Sequence, residues 1–422
     1  MEKLDHYIDT LGNWGSLTAG EKKHLSKVII HAALSRPLSI EELSKISAGL
    51  ANSGKIHEWP TDISPSIDFS STGGPGSLTT LLCPYFIASQ NIFIPQFSVP
   101  SSIAGAIDTL GIIPDFNYKL SYNEMLTTLR KTRIAHTLNT DDLAPADLFL
   151  FNERKKRGAK NLPDLVIASL LAKRLSIGIR DVVLDVRVGP AGNFGNTTEA
   201  AILNCEKLIK IGKELGINCT CVLTNNSLSA IPSLGRLESL NLFWSIINNN
   251  SVDSWTEEHL RTNIRIAAIA CSRVYGGVEK EHTMKIEKSL KSGEILALVE
   301  NNLNNQGSSG KKIKQLLNQL EESRVISIKA SKQGYLYSID YNKISSLFAR
   351  AYVRGKSDGF DSPLGIYIKK REGSRVELDE DIIALRANTD NLEDYSEEVA
   401  RCFIIKDEFV PVSNETIYSV IK

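Results

Sequence analysis

Between residues 181 and 224 the chain runs DVVLDVRVG, then TEAAILNCEKLIKIGKELG, then INCTCVLT. The outer two segments are short apolar runs rich in β-branched residues, and the middle one repeats apolar residues at helical spacing until Gly216 stops it. A strand, a helix and a second strand in immediate succession return the second strand parallel to the first. A parallel pair of this kind sits in a sheet covered on both faces. The fold class expected from this unit is α/β.

The flanking segments differ from it. Leu25, Val28, Ile29, Ala32 and Ala33 recur at helical spacing, and Ser39-Ile40-Glu41-Glu42 has the form of a capping box ahead of LSKISAGLA, a helix that Asn52-Ser53-Gly54 ends. From about residue 66, apolar strands alternate with helices. The polar run NNLNNQGSSGKKIK (301–314) then precedes VISIKAS, GYLYSID, SRVELDE and DIIALRA, short strands with charged turns that suit an α+β segment near the C-terminus. A chain of 422 residues exceeds one ordinary core, so two or three domains are expected.

Lysine plus arginine equals aspartate plus glutamate at 49 each, which leaves no overall field to attract nucleic acid or an acidic membrane surface, so a small-molecule partner is expected. No run approaches the roughly 18 apolar residues of a membrane span; even SSIAGAIDTLGIIP is broken by Asp108. The start MEKLDHYIDT lacks a basic and then apolar leader, so a cytoplasmic protein is expected. Six scattered cysteines form no disulfide framework and no paired zinc spacing, and Cys219 and Cys221 fall on one face of a strand, as core residues. No metal and no cofactor are expected.

Residues 70–80, SSTGGPGSLTT, raise the question of an anion site. A glycine-rich turn between strand and helix lets backbone N–H groups approach a phosphate, and the helix start adds partial positive charge. Thr72-Gly73-Gly74-Pro75-Gly76-Ser77 fits that design, with Ser71, Ser77 and Thr80 as further donors; a ligand-free turn fits it as well. Further on, Arg154, Ser169 and Lys173 fall in one segment, the last two four apart on a helical face. Two cations beside a serine suit a planar ring bearing oxygens.

Taken together, these segments resemble the pyrimidine nucleoside phosphorylases of the thymidine phosphorylase type. The family's K-H-S-T-G-G-x-G-D-K loop keeps its centre in Ser71-Thr72-Gly73-Gly74-Pro75-Gly76, and its L-A-P-A-D-x-x-x-Y-x-x-R run recurs as Leu143 to Asp147, Phe151 and Arg154. A-S-x-x-x-K recurs as Ala168, Ser169 and Lys173, and L-D-V-K-V-G as Leu184 to Gly189 with Arg187 for lysine. The resemblance covers almost the whole chain. It implies a small N-terminal helical domain (1–65, with helices from about 141–176 packing on it), a large parallel-sheet α/β domain (66–324) and a C-terminal α+β domain (325–422), the nucleoside phosphorylase/phosphoribosyltransferase class II type. It also implies a homodimer. Anthranilate-type phosphoribosyltransferases share the fold and a glycine loop but lack the C-terminal domain.

The resemblance implies a pentosyltransferase in which phosphate, as co-substrate, displaces the base of a pyrimidine nucleoside. Arg154, Ser169 and Lys173 would hold the base, with Arg154 and Lys173 catalytic; Ser71, Thr72, Gly73, Gly74, Gly76, Ser77, Thr80 and Ser98 would hold phosphate. Departures cluster on the phosphate side. Phe69 and Ser70 stand where the family has lysine and histidine, Ser77-Leu78 replace D-K, and the second glycine loop shrinks to residues 98–106, SVPSSIAGA, without its arginine, histidine and final threonine. The strand's exit V-G-S-G-A-F becomes VGPAGNF. Three readings stay open: a phosphorylase whose anion is held by serines with Arg187, or with Lys155 and Lys156; a hydrolase or base-exchange transferase with Phe69 lining a drier pocket; and a non-catalytic nucleoside-binding protein. Of the remaining features, Asp141 and Asp142 are expected to cap a helix, Arg154-Lys155-Lys156-Arg157 to form a solvated face, Asp185 to touch the sugar or serve the strand end, and Tyr275-Gly276-Gly277 to stop a helix.

Overall fold

The structure, a computed structural model, describes residues 4–101, 103–138, 143–159, 161–190, 192, 194–354, 360–387, 392–409, 411 and 415–422. Asp141 and Asp142 lie outside the described residues, as do Ser102, Ala191 and Asn193. The chain opens with α1 (Leu4–Asp9), a tight 3-10 turn, α2 (Ala19–Ser35) and α3 (Ile40–Asn52). Capping boxes start both longer helices: the hydroxyls of Thr18 and Ser39 accept the N–H of Glu21 and Glu42, whose carboxylates accept the cap N–H in return.

The central region follows in chain order as β1 (Asp68–Ser71), α4 (Thr79–Ala88), β2 (Ile94–Ser98), α5 (Ala106–Gly111), α6 (Tyr122–Thr132), β3 (Ile134–Leu138), α7 (Pro145–Lys156), α8 (Pro163–Ile177), β4 (Asp181–Val188), α9 (Thr198–Glu214) and β5 (Asn218–Asn225). Prolines open α7 and α8, at a helix position whose N–H has no partner anyway. A short β6 (Ser233–Leu234) leads into α10 (Arg236–Ile247), α11 (Ser254–Tyr275), α12 (Glu279–Lys291), α13 (Glu294–Asn305) and α14 (Gly310–Glu321). Gly276, at φ +70°, ends α11 after Tyr275. The polar run 301–314 is largely helical, because its amides are used inside: Asn302 Nδ2 donates to Ile134 O at 2.9 Å and Gln306 Nε2 to His136 O at 2.8 Å.

The remainder comprises β7 (Val325–Lys329), β8 (Gly334–Ile339), α15 (Tyr341–Arg354), β9 (Leu364–Ile368), β10 (Arg375–Val376), β11 (Asp381–Ala387), α16 (Leu392–Ala400), β12 (Phe403–Lys406) and β13 (Ile417–Ile421). Two antiparallel sheets form here, β6-β9-β11-β7 and β10-β8-β12. The last strand leaves them. β13 pairs antiparallel with β5, Ile417 opposite Thr224, and completes a sheet of order β1-β4-β5-β13 whose first three strands are parallel.

The register of that sheet decides what reaches the site. Phe69 and Ser71 stand opposite Val183 and Asp185, Asp68 and Ser70 opposite Val182 and Leu184. Phe69 and Val183 pack into one core with α4 and α11; Val182, Leu184, Val186 and Val188 pack on the other face with α3, α8 and α9. β2 and β3 form a separate parallel pair beside β1. No helix among the described residues is long and apolar enough to cross a membrane.

Buried charge ties the C-terminal sheets to the central region: Arg386 on β11 clasps Glu238 on α10 through Nε at 2.6 Å and Nη2 at 3.1 Å, and a side chain at Gly365 would collide with that carboxylate. Glu372, 6 % exposed, accepts from Ile339 N at 3.0 Å and the Tyr341 hydroxyl at 3.2 Å. Burial pushes its carboxyl from the ordinary 4.5 up to about 7. The folded chain therefore holds this proton more tightly than the unfolded one, so the stabilisation is full below pH about 4.5 and is lost as pH rises to about 7, an effect of about 3 kcal/mol. Replacing Glu372→Gln should flatten the fall in urea midpoint between pH 5 and 7 and leave the variant the more stable form at pH 7.

Candidate active site

Beyond Ser71 the chain turns sharply under local constraints. Thr72 N–H donates to Asp185 O, and Thr72 Oγ1 accepts the Arg187 N–H, each at 2.9 Å, which docks the turn on β4. Gly73, Gly74 and Gly76 have φ of +85°, +151° and +48°. Space is also lacking: a Cβ on Gly74 would lie 2.3 Å from Asn226 Nδ2, and one on Gly76 1.7 Å from Ser229 Oγ. Both the handedness and the close approach therefore require glycine. Ser77 Oγ then accepts Thr79 N–H at 3.2 Å, and α4 begins with its amino end at the turn.

The opposite wall comes from α7 and α8. Asp147, 2 % exposed, accepts the Ser169 hydroxyl at 2.9 Å and lies 3.3 Å from Lys173 Nζ, which also donates to Ser169 Oγ at 3.3 Å. One carboxylate thus orients both side chains. Arg154 is 3 % exposed, with its guanidinium 5.6 Å from the centre of the Phe151 ring; its Nε and Nη1 are buried and without a partner. Burial lowers the Arg154 pKa, and the nearby Asp147 charge offsets this in part. Donors left unpaired in a protein interior are costly, so an acceptor entering here gains more than it would at the surface. Deeper on this wall, Arg174 donates Nε to Asp68 Oδ2 at 2.9 Å, with Nη2 on Asp68 and Ser70 and Nη1 on Leu170 O.

Ser71, Thr72, Gly73, Gly74, Ser77, Thr80 and Ser98 line the same cleft as Arg154, Ser169 and Lys173. Gly76 does not; it faces Ser229, and its carbonyl accepts Ala230 N–H at 2.9 Å. The Ser71 hydroxyl is engaged already, donating to Asp185 Oδ2 at 2.9 Å while its oxygen accepts Gly73 N–H at 3.2 Å. Phe69 does not line the cleft: strand alternation turns it into the core, fully buried, while its neighbours Asp68 and Ser70 line the pocket, as does Ser71 where the strand ends. Lys155 and Lys156 are exposed outside it, Lys156 paired with Glu153 at 2.8 Å. Asp185 is 1 % exposed and joins strands, accepting from Ser71 and from Thr224 at 2.5 Å. The Asp68–Arg174 pair and the Asp147 anchor were not singled out from the sequence. Asp147 closes the run Leu143 to Asp147 on which the resemblance rests, the one sequence signal for the second.

Known proteins share this arrangement of segments. No protein-family model matches the chain. Proteins named pyrimidine-nucleoside phosphorylase match it along most of its length: that of Staphylococcus epidermidis at 25 % identity over 358 residues, 84 % of this chain and 82 % of the relative, and that of Bacillus subtilis at 24 % over 361 residues, 85 % and 82 %. That of Staphylococcus aureus matches at 23 % over 413 residues, 97 % and 93 %. The chain is thus similar, at low identity and over most of its length, to proteins named pyrimidine-nucleoside phosphorylase. Among solved structures, the anthranilate phosphoribosyltransferase of Thermus thermophilus superimposes with a TM-score of 0.50 at 13 % identity, covering 71 % of this chain and 99 % of that one. The enzyme of Saccharomyces cerevisiae gives 0.50 at 13 %, covering 72 % and 91 %. These likenesses show the phosphoribosyltransferase class II fold.

In this chain the Asp68–Arg174 pair forms the buried floor of the cleft. Arg174→Met would leave the Asp68 carboxylate, 1 % exposed, without its cation. Breaking one side of a buried pair commonly costs about 3–5 kcal/mol. A drop of that size in urea-unfolding free energy is expected, with Ser70→Ala far milder.

Proposed function

We propose that the chain is a pentosyltransferase that cleaves the N-glycosidic bond of a pyrimidine nucleoside with phosphate, giving free base and a pentose 1-phosphate. The observation that carries this reading is the pairing, across one cleft, of Arg154 and Lys173 with a glycine turn at a helix start. As the bond breaks, negative charge grows on the departing ring. The unpaired Arg154 N–H groups and the Lys173 ammonium, held by Asp147, meet that charge in a partly dry site, where fixed cations act most strongly in the transition state. Ser169, its proton committed to Asp147, offers its oxygen to a ring N–H. Phosphate held at the turn attacks C1′ as a neighbour rather than by diffusion. No cofactor enters this scheme. A cytoplasmic homodimer acting on small molecules, with no nucleic-acid or membrane partner, completes the proposal.

A second reading keeps the pocket and changes the acceptor to water or another base. It is favoured by the missing lysine and histidine, since Phe69 is core and Ser70 is held by Arg174. Incubating the protein with a nucleoside panel, with and without phosphate, and following free base by chromatography separates the two. Release that needs phosphate is the expected result; release without it supports the second reading, and no release at all defeats both. Lys173→Met should lower kcat by about 10²–10³, the usual effect of losing one transition-state donor.

A further inference from the structure

Arg187 lies on β4 directly beneath the glycine turn and is 3 % exposed. Its Nη2 donates to Asn226 Oδ1 at 2.7 Å and, at 3.4 Å, to Pro75 O within the turn. Nε is buried with no partner, and Nη1 makes no hydrogen bond among the described residues. Asn226 Nδ2 is likewise buried and unpartnered, against Gly74. No carboxylate among the described residues is within ion-pair distance of the guanidinium; Asp185, two residues back on the strand, is occupied by Ser71 and Thr224. The neighbouring ring of His259 on α11 is buried, and desolvation holds it neutral, its pKa lowered to about 3. Arg187 thus brings to the floor of the turn a charge that no ion pair among the described residues neutralises; burial lowers its pKa and the nearby Asp185 charge offsets this in part. It lines both the cleft and a small chamber of about 50 Å³ behind the turn, and Thr79, the first residue of the ten-residue helix α4, lines both as well.

We propose that Arg187 is the fixed cation of the anion subsite at this turn, gripping inorganic phosphate from beneath in place of the lysine that stands ahead of the turn in the resembling sequences. This rests on the phosphorolytic reading above. The guanidinium keeps N–H donors free at Nε and Nη1 while Asn226 fixes Nη2, and a charged donor held this rigidly suits an anion oxygen better than a flexible lysine does. The arrangement also accounts for a buried guanidinium without an ion pair among the described residues, in a protein interior where such charges are paired or bind a ligand.

Titration calorimetry with inorganic phosphate, alongside uracil, tests this on the full chain. Arg187→Gln should weaken phosphate affinity about tenfold or more, a loss of about 1.4 kcal/mol or more, while uracil affinity stays within about twofold. Arg187→Lys should fall between. If circular dichroism shows that Arg187→Gln does not fold, Asn226→Asp decides instead: it places a carboxylate 2.7 Å from Nη2 and should weaken phosphate to a similar degree. Wild-type phosphate affinity in whichever folded variant is measured overturns the assignment, and so does a wild type that binds no phosphate. Phosphate-dependent base release with an unchanged phosphate KM in the variant removes Arg187 but leaves the phosphorylase reading standing. Base release independent of phosphate, with phosphate binding still lost in the variant, does the reverse.

Discussion

The turn side of the cleft depends on one buried carboxylate. Asp185 accepts a hydrogen bond from Ser71 on β1 and another from Thr224 on β5, so a single side chain on the central strand ties the ends of three parallel strands together. Burial raises its pKa, and Arg187 together with the two hydroxyls pulls the other way. Because Thr72 N–H is bonded to the backbone of the same residue, the start of the glycine turn is fixed relative to β4. The turn is accordingly a built feature of the sheet rather than a loose connection, and polar groups this deep are kept in place by being satisfied.

Charge is then distributed unevenly around that frame. Arg174 and Lys173 each have a carboxylate, Asp68 and Asp147, whereas Arg154 and Arg187 retain unpaired donors. The satisfied pairs hold shape. The unsatisfied arginines both line the cleft, Arg154 on the wall built by α7 and α8 and Arg187 beneath the turn. Such a division is what a site needs when one ligand acquires negative charge as another delivers it: rigid donors that cost no reorganisation at the moment of reaction.

Much of the fold could be read in the residues. The strand-helix-strand unit at 181–224 emerges as β4, α9 and β5 in parallel register, and the Ser39–Glu42 box begins α3 as expected. Periodicity and caps are local signals, so the sequence displays them. What it hid was non-local. The polar run 301–314 looked like a divider because burial of Asn302 and Gln306 depends on β3, far away in sequence. β13 could not be assigned to the central sheet, since edge pairing leaves no mark on the strand that seeks it. At the site, motif spacing grouped Arg154, Ser169 and Lys173, but the orientation of Phe69 followed from strand parity, and that parity is known only once β1 is aligned with β4. The unpaired state of Arg187 was similarly invisible, being defined by what does not surround it.

The return of β13 to β5 has a kinematic consequence. The antiparallel sheets are joined to the central body by covalent chain where β6 lies between β5 and α10, where α14 runs into β7 and where β12 runs out toward β13. A rigid block held at three separated points has no free axis of rotation and loses the wide swing of a flap on a single tether. Arg386 clasping Glu238 and Arg371 bonded to Glu258 at 2.8 Å brace it further through buried or half-buried charge. The C-terminal sheets therefore behave as a bolted wall of the molecule rather than as a swinging flap.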